Sequence, residues 1–330
     1  LLTKIYVFMY LKDIIRGVKD MIKIDLITGF LGSGKTTFLR KYARYWINQG
    51  VKIAILENDF GAVNVDRMLL QDLEGDYCGV EMIAGGCDKD CHQRRFRTKL
   101  ISLSMQGYKR VLIEPSGIYD VDEFFDTLYD EPLDQWYEAG NVIAIVDAGL
   151  EEQLSKEAEF LLASEVAEAG CVLLSHTQEV SEETAKAAIE HVNRALEVSH
   201  CSRRLGESDV ICKSWDDLTE EDFQKIASCG YRTESYEKMN FEEKDVFQSL
   251  YFLELPITRE KLEAAAKELL ADDSYGHIFR IKGFLEEDGS WIELNATQRS
   301  FTVSPIPCGQ SVLIVIGEGL LKEKIEQMFT

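Results

Sequence analysis

Apolar positions along this chain follow two rhythms. Short runs dominated by apolar residues fall at 22–27, 52–57, 110–114, 141–147 and 171–174, each bounded by polar or glycine-containing segments. Runs of that kind suit strands buried on both faces. Between them, residues 37–46, 93–105, 121–136 and 151–168 place apolar residues three and four apart, the period of an amphipathic helix. Strands alternating with helices predict an α/β fold, with a mainly parallel sheet, right-handed crossovers and flanking helices. Residues 62–78 read as a polar loop, and Glu81-Met82-Ile83 as a short lead into Gly85-Gly86. From 181 to 244 the pattern is helical, charged and poorer in strands. Beyond 247 the pattern predicts strands at 247–255, 278–285, 290–294 and 311–316, with helices at 259–270 and 320–329. That order reads as a small C-terminal α+β domain with an antiparallel sheet.

The turn after the first strand carries the chemistry. Gly29-Phe30-Leu31-Gly32-Ser33-Gly34-Lys35-Thr36 fits the phosphate-binding P-loop pattern, and a strand before it and a helix after it supply the context the motif requires. The glycines let backbone N–H groups turn inward around phosphate oxygens, and the helix start adds its positive dipole end. Lys35 is expected to reach the β- and γ-phosphates, and the Thr36 hydroxyl to ligate Mg²⁺. Ligands of such sheets sit beyond the C-terminal ends of the strands. Lys35, Glu57, Asp59, Glu114 and Asp147 all fall near such ends. The expected domains are a P-loop domain over 21–200, a helical or linker segment over 201–245 and the α+β domain over 246–330. Residues 1–20 are expected to be an N-terminal extension ahead of Met21, with a short amphipathic helix as the alternative.

The formal net charge of −22 argues against nucleic acid or an anionic membrane surface as partner, since both call for clustered Lys and Arg. No apolar run reaches the roughly 20 residues of a membrane-spanning helix. Eight cysteines without a secretion signal or dense spacing suit a reducing, cytoplasmic setting, where cysteines serve as ligands or small buried groups.

Four segments together resemble the CobW-like P-loop GTPases, relatives of the UreG and HypB metallochaperones. They are the P-loop extended to Thr28 and Thr37, the segment Glu57-Asn58-Asp59-Phe60-Gly61, the segment Glu114-Pro115-Ser116-Gly117, and Phe279-Arg280-Ile281-Lys282-Gly283-Phe284 with residues 312–317. The resemblance implies GTP binding, slow hydrolysis and delivery of a transition metal to a client metalloprotein. Two positions depart from the family pattern. Its Cys-x-Cys-Cys metal motif is replaced by Cys87-Asp88-Lys89-Asp90-Cys91-His92, and its Asn-Lys-x-Asp guanine reader by Ser175-His176-Thr177-Gln178. An amide at Gln178 offers one carbonyl oxygen where the family's Asp takes two hydrogen bonds from guanine, so ATP stands beside GTP as a substrate.

These readings assign Gly29, Gly32, Ser33, Gly34, Lys35, Thr36, Thr37 and Gly117 to the nucleotide, with His176 and Gln178 at the base-reading position. Lys35, Asp59 and Glu114 are the catalytic expectations, with Asp59 or Glu114 holding Mg²⁺ and Asp59 a candidate for orienting water. Glu57, Cys87, Cys91 and His92 are the transition-metal expectations. Thiolate and imidazole suit Zn²⁺, with Ni²⁺ and Co²⁺ as alternatives. The competing reading makes Cys87 a small buried residue and Cys91-His92 a helix start. The functional expectation is a nucleotide-gated metal carrier. Its rival is a metal-free regulatory or assembly NTPase, and a small-molecule kinase is the weaker third reading. The C-terminal domain is expected to serve partner binding or self-association.

Overall fold

The computed structural model describes residues 21–59, 69–84, 89–117, 119–239, 246–306 and 309–329. The expected N-terminal extension, Cys87 and the side chain of Asp59 lie outside the described residues. Among the described residues, twelve strands fall into two sheets. The first contains β1 (Ile22–Thr28), β2 (Ile53–Asp59), β3 (Cys78–Ala84), β4 (Arg110–Pro115), β5 (Tyr137–Asp147), β6 (Cys171–Ser175) and β7 (Val210–Cys212). All neighbours pair in parallel, in the order β3-β2-β4-β1-β5-β6-β7. β1 therefore lies at the centre, and the loop that leaves it opens between β4 and β5 at a point where the strand order reverses.

Helices cover both faces, which is why these strands are apolar at nearly every position. On one face α1 (Lys35–Asn48) and α6 (Glu220–Ile226) bury Phe38, Leu39 and Ile226 against Ile27, Ile55 and Ile143. On the other, α2 (Lys89–Ser104), α3 (Val121–Leu128), α4 (Lys156–Ala167) and α5 (Glu182–Val198) bury Phe96, Phe124, Leu162 and Val192 against Ile24, Leu26 and Val111. One buried polar group interrupts β1. Asp25 is fully buried and accepts from Arg110, from the Tyr42 hydroxyl at 2.8 Å and from the Asn141 backbone N–H at 2.9 Å. A buried charge of this kind survives because it is paired and hydrogen-bonded, and it ties β1 to its neighbours β4 and β5 and to α1.

The second sheet is antiparallel, in the order β11-β10-β9-β12-β8, built from β8 (Phe247–Leu253), β9 (His277–Glu287), β10 (Ser290–Ala296), β11 (Phe301–Ile306) and β12 (Val312–Glu318). α7 (Arg259–Ala271) covers one face through Leu262, Ala266 and Leu269, packed with Ile281 and Val315. The opposite face turns toward the P-loop. A separate small core joins the two sheets: Phe30 of the P-loop packs with Phe160 and Leu161 of α4 and with Phe247 and Phe279 of the second sheet.

The expected fold class is the observed one, and the differences lie at edges and ends. The expected loop over 62–78 holds a 3₁₀ turn at Gln71–Leu73 and gives way at Cys78 to the edge strand β3, and the 201–245 segment contributes β7 to the first sheet and α6 to its helical cover. The helix expected over 121–136 stops at Leu128, where the chain turns toward Pro132 and a single 3₁₀ turn at Leu133–Gln135. α4 starts at Lys156 rather than 151, because Ser155 caps it by accepting from the Ala158 N–H at 3.1 Å. β11 was not expected, and the closing helix shrinks to α8 (Lys322–Glu326).

Candidate functional site

The P-loop leaves β1 at Thr28 and turns at Gly34, whose φ of 88° is a left-handed conformation open to glycine. Gly34 is the N-cap of α1, so the helix begins with Lys35 and Thr36 facing the loop they close. Lys35 Nζ donates to the Gly29 carbonyl oxygen at 2.6 Å. The Thr36 hydroxyl donates to Glu114 Oε1 at 2.8 Å. Gly117, just past β4, packs directly on the loop: a β-carbon there would sit 2.8 Å from the Leu31 backbone nitrogen. The sequence-expected groups Gly32, Ser33, Gly34, Lys35, Thr36, Thr37, Glu114 and His176 line one cavity of about 380 Å³. That volume lies within the roughly 300–1,000 Å³ typical of small-ligand sites.

The parallel register of β2 and β4 sets Glu57 directly beside Glu114, and both are buried. Both also line an adjoining cavity with Lys35, Thr36 and Gly117. Two carboxylates and a hydroxyl at the foot of a phosphate loop form the hard oxygen donor set that fits Mg²⁺. Asp59 ends β2 opposite Ala84.

At the base-reading position His176 adopts φ 53° and turns its Nδ1 to Asp147 Oδ2 at 3.0 Å. That hydrogen bond raises the His176 pKa above its ordinary value, against the opposing effect of burial. Asp147 belongs to the site through this contact and was expected only as a strand-end residue. Gln178 is exposed, donates to Glu179 Oε1 at 3.3 Å and is not among the residues lining the cavity.

Cys91 and His92 lie in the first turn of α2. His92 is buried, with Nε2 hydrogen-bonded to Asn58 Oδ1 at 2.6 Å. Asn58 directly follows Glu57, and its backbone carbonyl accepts from the Ser116 N–H at 2.9 Å. One residue, next in the chain to the β2 carboxylate, thus touches both the Cys-His turn and the segment after β4. Among the described residues, no three His, Cys, Asp or Glu side chains gather as a metal-binding group. The Cys78 thiol is buried at the start of β3, and burial pushes it up to about 12, far from a thiolate at neutral pH.

Three basic contributors were not expected, Arg40 of α1 and two from the C-terminal sheet. Arg280 and Lys282 of β9 line the phosphate-loop cavity with Glu293 and Asn295 of β10. The signal was present in the chain: two cations two residues apart inside an apolar strand project from one face.

Comparison with known proteins adds the following. The profile of the CobW/HypB/UreG nucleotide-binding domain matches residues 23–200. That of the cobalamin synthesis protein cobW C-terminal domain matches residues 249–330. Zinc chaperone YjiA of Escherichia coli (strain K12) is 28% identical over 329 residues, covering 93% of this chain and 98% of that protein. Zinc-regulated GTPase metalloprotein activator 1 of Schizosaccharomyces pombe is 21% identical over 328 residues, covering 87% and 78%. Zinc chaperone YeiR of Escherichia coli (strain K12) is 36% identical over 132 residues, 39% of each chain.

Proposed function

The chain belongs to the CobW/HypB/UreG family of P-loop GTPases, and from that premise we propose that it is a GTP-dependent zinc chaperone that loads a client metalloprotein. The names of its relatives, a zinc chaperone and a zinc-regulated GTPase metalloprotein activator, support zinc as the cargo. Within this reading Lys35 and the P-loop amides hold the phosphates. Thr36 and Glu114, with Glu57 alongside, hold Mg²⁺, which when bound neutralises charge on the β- and γ-phosphates. Cys87 and Cys91 supply the thiolates that favour Zn²⁺ over harder ions.

The observation that carries the proposal is the bridge at Asn58. Its side chain holds His92, next to Cys91, while its carbonyl oxygen holds Ser116, next to Gly117. Gly117 contacts the phosphate loop, so γ-phosphate-dependent movement there reaches the Cys-His turn through one residue. Metal release on hydrolysis follows from that coupling, and unaided turnover is slow, on the order of 10⁻⁴ to 10⁻² s⁻¹.

The test is Zn²⁺ affinity by chelator competition, with and without Mg²⁺ and a non-hydrolysable GTP analogue. The expected result is a shift of about 5- to 150-fold, matched by an equal shift of analogue affinity when zinc is present. The shift disappears in Lys35→Ala, which no longer binds nucleotide, and zinc binding is lost in Cys87→Ser/Cys91→Ser. Equal zinc affinity in both nucleotide states would defeat the proposal.

A further inference from the structure

In a chain of net charge −22, the cavity at the P-loop is lined by four basic residues, Lys35, Arg40, Arg280 and Lys282, against two carboxylates, Glu114 and Glu293. Half of that positive charge comes from the C-terminal domain. Arg280 and Lys282 share one face of β9, and the cross-strand pairs Lys282–Asn295, Lys282–Ile314 and Arg280–Ile316 fix that face as the one opposite α7. An antiparallel sheet ordinarily gives its second face to water. Here Lys282 is instead buried, with the Glu293 carboxylate 3.8 Å from Nζ. Arg280 is held through Nε by Asn295 Oδ1 at 2.9 Å, which orients the guanidinium. A polyphosphate in the same cavity would place its negative charge beside both cations.

The position of these groups is set by several contacts. Phe30, inside the P-loop, packs edge-on against Phe247 at 6.1 Å and Phe279 at 5.3 Å between ring centres. Phe279 is the immediate neighbour of Arg280. His277 Nε2 meets Glu151 at 3.0 Å, and Ser155 donates to Glu318 at 2.6 Å. The domain that carries the two cations is therefore seated on the loop that holds the phosphates.

We propose that the C-terminal domain completes the GTPase site: Lys282 binds the phosphate chain, and Arg280 is the cation, supplied by the same polypeptide, that stabilises charge during γ-phosphoryl transfer. The inference rests on the GTPase reading above. In that reaction the water oxygen bonds to the γ-phosphorus and the bond from γ-phosphorus to the β,γ-bridging oxygen breaks. The electron pair stays on the oxygen leaving with GDP, so that GTP⁴⁻ and water give GDP³⁻, HPO₄²⁻ and one proton. A guanidinium beside the bridging or γ-oxygens stabilises the charge that develops there.

Single-turnover GTP hydrolysis and fluorescent-nucleotide binding are measured for the full chain, its Lys35→Ala control, and the variants Arg280→Ala, Arg280→Lys and Lys282→Ala, with melting temperatures for each. Arg280→Ala is expected to lower kcat about 10- to 100-fold while nucleotide Kd changes less than threefold, and Arg280→Lys to recover little of the rate, because a single ammonium lacks the planar fork. Lys282→Ala is expected to raise Kd about tenfold. Should Arg280→Ala fail to fold, Arg280→Lys, which keeps the charge and most of the volume, decides the question. Wild-type kcat in Arg280→Lys together with wild-type Kd in Lys282→Ala would overturn the inference and leave the GTPase reading intact. A wild-type chain that binds no GTP, indistinguishable from Lys35→Ala, would overturn both.

Discussion

Asn58 does more than its place between two acidic residues suggests. It is buried, it pairs with His92 at 2.6 Å, and its carbonyl takes the Ser116 N–H at 2.9 Å. The main-chain bond uses the Asn58 carbonyl oxygen, which every residue type carries, whereas the side-chain bond depends on the amide. Asn58→Ala therefore separates the two links. The variant is expected to bind GTP analogue and Zn²⁺ each within about threefold of wild type, with the factor by which one ligand changes affinity for the other falling toward one. An undiminished factor in the chelator titration would assign the coupling elsewhere. Residues like Asn58 are hard to read in a sequence, because an amide between a Glu and an Asp fits a solvated turn equally well. The P-loop was legible because its chemistry is local: eight consecutive residues hold the glycines, the lysine and the hydroxyl. Arg280 lies far along the chain from Gly34, and only the packing of two domains brings both to one cavity.

At the level of elements, the sheet centre was legible and its margins were not. β1, β4 and β5 are buried over most of their length and read as largely apolar runs, in β1 despite Lys23 and Asp25. β3 and β7 are edge strands, half covered and broken by Gly79, Glu81 and short length, so their apolar signal is weak. Helix ends were set by capping chemistry, as at Ser155, rather than by the periodicity used to find the helices. The other end of α4 makes a testable case. Glu168 is its C-cap, a position where the helix dipole disfavours negative charge. Burial, with the Asp122 and Asp120 carboxylates nearby and Lys238 as a partial counter-charge, pushes the Glu168 carboxyl up to about 7. A carboxyl whose pKa is raised on folding contributes stability below its unfolded value, about 4.3, and loses it as pH rises through the folded value. Glu168→Gln removes the titration. The variant is expected to melt progressively higher than wild type as pH rises from about 4.5 to about 7, with a constant difference above that. Thermal melts between pH 4 and 8 decide it: a difference that does not change with pH would mean that folding leaves the Glu168 pKa where it is in the unfolded chain.

Across the whole molecule the question is whether two sheets with separate cores behave as one body. α7 and the second sheet bury their own core, and so do the two faces of the first sheet. Among the described residues, the contacts that join them include the small cluster around Phe30, with Phe160, Phe247 and Phe279, and the polar contacts of Glu151 with His277, Ser155 with Glu318 and Arg299 with the Leu150 carbonyl. Phe30 is 6% exposed and belongs to the phosphate loop itself, so its ring is a direct packing link between that loop and the C-terminal domain. Truncating a buried phenylalanine typically costs about 3–5 kcal/mol, and the loss here falls on the junction rather than on either core. Phe30→Ala is therefore expected to divide a single calorimetric transition into two. A saturating GTP analogue stabilises only the state it binds, by RT ln(1 + [L]/Kd). In wild type that stabilisation should raise the melting of the entire chain. In Phe30→Ala it should raise the transition of the first sheet most and that of the second only through Arg280 and Lys282, so that two steps remain. If the variant still melts in one step that moves as a whole with nucleotide, the aromatic junction is dispensable, and the polar contacts alone must transmit the state of the phosphate loop to the C-terminal sheet.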